Sequence, residues 1–277
     1  MTSAAPVKAP ANTLESGRRA GPLYFLTLVH AIVDSELRKL RHDPVELLTR
    51  AVQPVLWLLI FGQVLAQIRG LSVPGVPYLD FLAPGILAQS VLFAAIFYGI
   101  ATIWERDLGI LHRYLVSPAP RSALVIGKAA SAGIRGLSQA AVIYVVSLAL
   151  GVSIDLHPLS IAGVVVFVFL GSALFATFSL VIACIVKTRE RFMGFGQVIT
   201  MPLFFASNAI YPLSVMPEWL RVLSTLNPLS YEVDGLRTLM IAGDVSAFGL
   251  PLDFAVLFVV TAGLIALATR MYPRMVQ

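Results

Sequence analysis

Reactive side chains concentrate in one stretch, WERDLGILHRYLVSPAPR, from Trp104 to Arg121. Glu105, Arg106, Asp107, His112, Arg113 and Arg121 crowd there between two apolar segments. Acids and cations at this density suit charge-assisted contacts with a partner surface. They do not form a catalytic set, because the chain carries neither an HExxH zinc helix nor a GxSxG nucleophile turn. Its Gly127-Lys128 pair lacks the preceding glycine and the following hydroxyl residue of a phosphate-cradling loop. No catalytic residue and no metal ligand set is expected. Cys184 is the single cysteine, which excludes an intrachain disulfide and a thiolate metal cluster and leaves it a small apolar filler.

What must position the charged stretch is a membrane. The 277 residues are 58% apolar and 13% charged, whereas a soluble domain carries roughly 25% charged residues. Applying the ~20 apolar residues a helical span requires gives six candidates. They are Ala51 to Ile68, Phe81 to Ile103, Leu124 to Gly151, Leu159 to Val186, Phe192 to Leu213, and Ala247 to Thr269. Lys128 and Arg135 interrupt the third and are expected near the head groups, where long basic side chains snorkel.

Orientation follows from the cations. Of the twenty Lys and Arg, only Arg69, Arg221 and Arg237 fall on one side, beside Asp80, Asp155, Glu218, Glu232, Asp234 and Asp244. The other seventeen flank the opposite ends, so both termini are expected to be cytoplasmic. The net charge of +5 reads as topology. Cations dispersed among helix ends do not favour a nucleic-acid partner.

The expected organisation is all-α: a mobile, disordered cytosolic tail over 1–22, an amphipathic interfacial helix over 23–50, and a six-span domain over 51–277. In the second part Phe25, Val29, Ile32, Leu37 and Leu40 share one face, as in a helix lying in the interface plane. Between spans five and six, Pro217 and Pro228 each suit the first position of a short helix, Asn227 can cap the second, and Gly243 can end it. The pair forms a hairpin dipping into the outer leaflet. Asp234 and Arg237, three apart, can pair there, either as a structural lock or as an outer gate. In the opening stretch, Leu108, Leu111 and Leu115 follow one face of a short amphipathic helix that SPAP ends, with Ser122 capping the next. That segment reads as an ordinary solvated loop or as a docking surface.

The span middles hold neutral polar residues only, so proton or sodium coupling is not expected. Any uphill transport needs another subunit to supply the work.

These residues resemble a known family. ERDLGILHRYLVSPAPRSALVIGK, Glu105 to Lys128, is similar to the cytosolic loop of type-2 ABC exporter permeases of the daunorubicin-resistance kind. There the pattern runs close to E-R-E-x-G-T-L-E-x-L-L-V-T-P-x-x-R-x-x-L-x-x-G-K. NPLSYEVDGLR, Asn227 to Arg237, resembles the family's N-P-L-T-Y-x-V-D-A-L-R. Ile110, His112 and Gly235 depart from the pattern.

The resemblance implies a permease in the inner (plasma) membrane, in a homodimer or heterodimer with a second permease copy, surrounded by membrane lipids and bound to two separate ATPase subunits. This chain would hold no cofactor; ATP and Mg would sit on the ATPase. The loop from Glu105 to Arg121 would couple to the ATPase: Glu105, Arg106 and Arg113 would make the polar contacts, Leu108, Leu111 and Leu115 the packing surface, and Gly109 and Pro118 would shape the loop. Asn227, Pro228, Tyr231, Asp234 and Arg237 would form the outer hairpin. The pathway would run along the dimer seam past Gln89, Phe93, Phe97, Phe204, Phe205 and Asn208, although a Phe stripe also suits lipid contact or core. Drugs, lipids and lipid-linked glycans all remain open as cargo. The alternative is an integral membrane enzyme acting on lipid substrates. Asp234-Gly-x-Arg237 is faintly similar to CDP-alcohol phosphotransferases, without the flanking aspartates that would hold metal.

Overall fold

In the computed structural model, residues 22–42, 49, 52–65, 77–111, 120–186, 188–241 and 246–272 are described. They form nine helices: α1 Pro22–His42, α2 Val52–Val64, α3 Tyr78–Asp107, α4 Arg121–Ala149, α5 Pro158–Ile185, α6 Arg189–Phe205, α7 Glu218–Leu226, α8 Pro228–Met240 and α9 Leu250–Met271. A π turn, Trp57–Phe61, lies within α2. Among the described residues there is no strand, only an isolated bridge between Ile154 and Ile241. The expected tail over 1–22 lies almost wholly outside the described residues.

Local chemistry sets several starts. His157 Nδ1 accepts the Leu159 N–H at 3.3 Å ahead of α5, and Pro158 follows where a missing N–H costs nothing. Thr188 Oγ1 accepts the Arg191 N–H at 3.4 Å to begin α6. Helix α4 starts earlier than the expected Ser122 cap, with Pro120 at its N-cap.

Four of these helices, α3, α4, α5 and α9, are long and apolar enough to cross a membrane. Helix α5 is the hub, with α3, α4, α8 and α9 packed around it. Its sequence contains no Asp, Glu, Lys, Arg or His and is apolar on every face, as suits a membrane helix with neighbours on most sides. Helix α1 lies along α4, where Ile32 covers Gly127. Helix α9 exposes Phe254, Phe258 and Val259 and buries little.

One expected span lies partly outside the described residues, and one comes out shorter. The first retains α2, with the rest of that segment largely outside the described residues. The fifth ends at Phe205 rather than Leu213. At ~1.5 Å per residue its 17 residues reach about 26 Å, short of the ~30 Å hydrocarbon core. Pro202 removes an N–H in its last turn, and the chain turns through Ala206 to Ile210.

Candidate functional site

Two charged clusters occupy opposite ends of the bundle. At the first, Glu105 and Asp107 belong to the last turn of α3 rather than to a separate amphipathic helix. Lys128, one full turn or more into α4, places Nζ 2.5 Å from Glu105 Oε2. The side chains are 6% and 15% exposed. Lys128 also donates to Thr102 Oγ1 at 3.3 Å, and its ammonium lies 5.6 Å from the Tyr98 ring centroid. Arg135 approaches the same ring at 5.6 Å. A lone buried ammonium is costly, and an acid at hydrogen-bonding distance offsets much of that cost. Lys128 therefore sits inside the bundle, its ammonium paired with Glu105 rather than in open solvent. Glu105 is correspondingly a partner within the chain that joins α3 to α4.

A second network surrounds Asp107. Arg106 donates to Oδ1 at 3.2 Å and 2.9 Å, and Arg189 of α6 donates to Oδ2 at 2.9 Å and 2.7 Å. The Arg189 guanidinium also stacks 3.9 Å over the Trp104 ring. One carboxylate thus ties the end of α3 to the start of α6. Trp104, Asp107 and Arg189 are not among the expected site residues. The signal that could have found them is an aspartate and an exposed tryptophan one turn apart, with cations before a capped helix.

After α3 the chain turns at Leu108 and Gly109, whose φ of 70° suits glycine. Leu108 is 65% exposed, whereas Leu111 is fully buried against the core. Of the two leucines only Leu108 offers apolar surface, because Leu111 packs beneath the turn. Arg113, Leu115 and Pro118 lie outside the described residues; Arg121 is exposed at the start of α4.

At the other end, α8 is bound on several sides. Asn227 Oδ1 accepts the Leu229 N–H at 3.0 Å, and Nδ2 donates to Leu203 O at 2.6 Å. Asn227→Ala removes both a cap and a tie to α6 and should lower stability by about 1–2 kcal/mol, read as a lower thermal midpoint of the purified chain. Tyr231 donates to Thr225 O at 2.7 Å and stacks on Phe248. Arg237 donates to Asn208 O at 2.9 Å and, more weakly, to Phe81 O at 3.3 Å. Its guanidinium lies 3.8 Å over the Phe81 ring. Asp234 turns the other way, accepting from Ala247 N and Phe248 N at 3.1 Å and from Ser246 Oγ at 2.5 Å. Asp234 and Arg237, expected as partners, are thus seen with separate attachments, Asp234 to the Ser246–Phe248 segment and Arg237 to the Asn208 and Phe81 carbonyls. Before α5, the Ser160 hydroxyl and the His157 N–H hold the Asp155 carboxyl below the usual carboxylate range.

The expected lining residues do not form one surface. Gln89, Phe204 and Asn208 are buried, Phe204 against Trp57. Phe97 and Phe205 are exposed, and Phe93 is half-buried. Glu232, expected among the acids at the rim, is instead fully enclosed where α8 meets α5.

Residues 27–241 match the ABC-2 type transporter family. The chain is 31% identical over 219 residues to the putative transport permease ycf38 of Cyanophora paradoxa, covering 78% of this chain and 75% of that one. It is 27% identical over 240 residues to the daunorubicin resistance ABC transporter permease protein DrrB1 of Streptomyces coeruleorubidus, covering 84% and 81%. Nodulation protein J of Rhizobium leguminosarum bv. viciae is 24% identical over 224 residues, covering 80% and 85%. A helical bundle with four membrane-length helices, matched over most of its length, belongs to the ABC-2 type transporter family.

Proposed function

We propose that this chain is the membrane-spanning permease subunit of an ATP-driven exporter, worked by a separate ATP-hydrolysing subunit. Family membership supports the transport role, and relatives named as transport permeases favour a transport subunit over an enzyme. The finer reading has six spans, the segments that contain the shorter helices α2 and α6 completing the set, both termini in the cytoplasm and two copies forming the pathway. Cation asymmetry along the sequence supports that orientation. The cargo in this reading is an amphiphile leaving the cytoplasm: a drug, a lipid or a lipid-linked glycan.

The observation that carries the mechanism is the junction at Asp107. A push on the α3–α4 turn by a partner reaches α4 through Glu105 and Lys128, and α6 through Asp107 and Arg189. Helix α6 leads to the turn held by Arg237, so the two ends of the bundle are mechanically connected.

The test uses vesicles containing the permease and its ATPase. Asp107 and Arg189 are each about one-third exposed, so their pair contributes little to stability, about 1 kcal/mol or less. Asp107→Arg and Arg189→Asp, made singly, should leave ATP hydrolysis in place while transport per ATP falls about tenfold, the factor for ~1.4 kcal/mol of lost coupling. Combining them should restore transport. Unchanged transport in both single variants would remove this junction from the mechanism.

A further inference from the structure

Helices α5 and α8 run antiparallel along an unusually close seam. Leu239 packs on Gly163, Phe167 on Gly235, and Glu232 on Gly171. At each step glycine supplies one side. A Cβ at Gly171 would overlap the carboxyl atoms of Glu232, so the carboxyl rests directly on the α5 backbone. Glu232 is 0% exposed, and both of its oxygens are buried without a hydrogen-bond partner.

An ionised carboxylate in such a place is prohibitive, and among the described residues no cation stands against it. On α5, the Pro158–Ile185 sequence offers no Asp, Glu, Lys, Arg, His or Tyr. On α9, Asp253 is linked through Ser246 to Asp234, and Arg270 stands at the far end. On α3, Asp80 accepts the Ser153 N–H, and Tyr78 donates to Ile210 O. On α7, Arg221 donates to Leu213 O and Met216 O, and Glu218 opens the helix. On α8 itself Arg237 and Asp234 point to other neighbours.

We propose that Glu232 is a proton-binding site of the α5–α8 seam, holding its proton while the helices are together and releasing it to water when they part. The close packing on Gly171 leaves no room for a metal ion or a cargo group, so the proton is the ligand that fits. The step is a simple acid dissociation: the O–H bond of the carboxyl breaks, water takes the proton, and the carboxylate becomes hydrated. The closed seam raises proton affinity, so closure is favoured at low pH and weakens as pH rises toward the closed-state pKa. Between the open and closed values the open fraction grows up to about tenfold per pH unit. This inference goes beyond the exporter reading.

The experiment follows Leu239→Cys, made with Cys184→Ser, in the full chain in lipid nanodiscs without any ATPase. The labelling rate by a water-soluble maleimide reports seam opening. Glu232→Gln is neutral and isosteric, and it keeps the seam packed while correcting for thiol ionisation. The labelling rate of the protein that keeps Glu232, divided by that of the Glu232→Gln variant, should rise with pH by up to about tenfold per unit. A ratio that stays constant with pH overturns the proposal. So does a pH response that Asp253→Asn abolishes and Glu232→Gln leaves intact. Because no ATPase is present, failure here leaves the exporter reading standing, and loss of that reading leaves this result interpretable.

Discussion

Glu105→Leu should destabilise the chain by about 3–5 kcal/mol, the range for removing one partner of a buried ion pair. Lys128 would keep Thr102 as a hydrogen-bond partner and the Tyr98 ring as a weak cation–π neighbour. Its side chain, 6% exposed, has little access to water. Glu105→Leu combined with Lys128→Met should recover most of the loss, since apolar residues of similar volume often replace a buried pair at little cost. Thermal denaturation of the four proteins in detergent gives the cycle directly. Equal midpoints for wild type and Glu105→Leu would place Glu105 outside the bundle. The result also bears on coupling: a transport defect in a Glu105 variant reports a weakened fold, whereas one in an Arg189 variant reports the junction.

Arg237→Ala should cost about 2–4 kcal/mol, because it removes a charged donor from two backbone carbonyls and a cation from the face of an aromatic ring. Asn208 O is the more dependent acceptor, since it lies in the turn after α6 and not in a helix. Gly85 allows that turn to press on α3, because a Cβ there would overlap the Ala209 carbonyl. With Arg237 gone, the turn loses its anchor beside α3. Proteolysis between Ala206 and Leu213 should quicken along with the fall in the denaturation midpoint. Arg237→Lys should recover only part, because an ammonium cannot span both carbonyls and stack on Phe81 at once. A neutral effect of Arg237→Ala would show that α8 is held by its apolar face alone.

Much of the helical framework is legible from local patterns. Apolar runs locate α3, α4, α5 and α9, and Asn227-Pro228 marks the start of α8 because capping chemistry lies within a few residues of the end it satisfies. Charged residues are harder. Lys128 reads as a snorkelling cation and Glu105 as an exposed contact; their pairing joins positions 23 apart on different helices. Leu111 fits an exposed stripe by spacing, but a turn at Gly109 redirects the chain and buries it. Glu232 lies within the short helix α8, next to Tyr231 and two residues from Asp234, and nothing local indicates that its face meets Gly171.

The sequence by itself determined that the chain is helical, membrane-embedded and related to transport permeases, because apolar length, helix caps and motif order are properties of contiguous residues. Only the tertiary structure decided which ionisable groups face each other and which are sealed from water. That choice depends on how helices distant in the chain lie against one another, and in a low-dielectric bundle a shift of a few ångströms turns a solvated charge into a paired or protonated one.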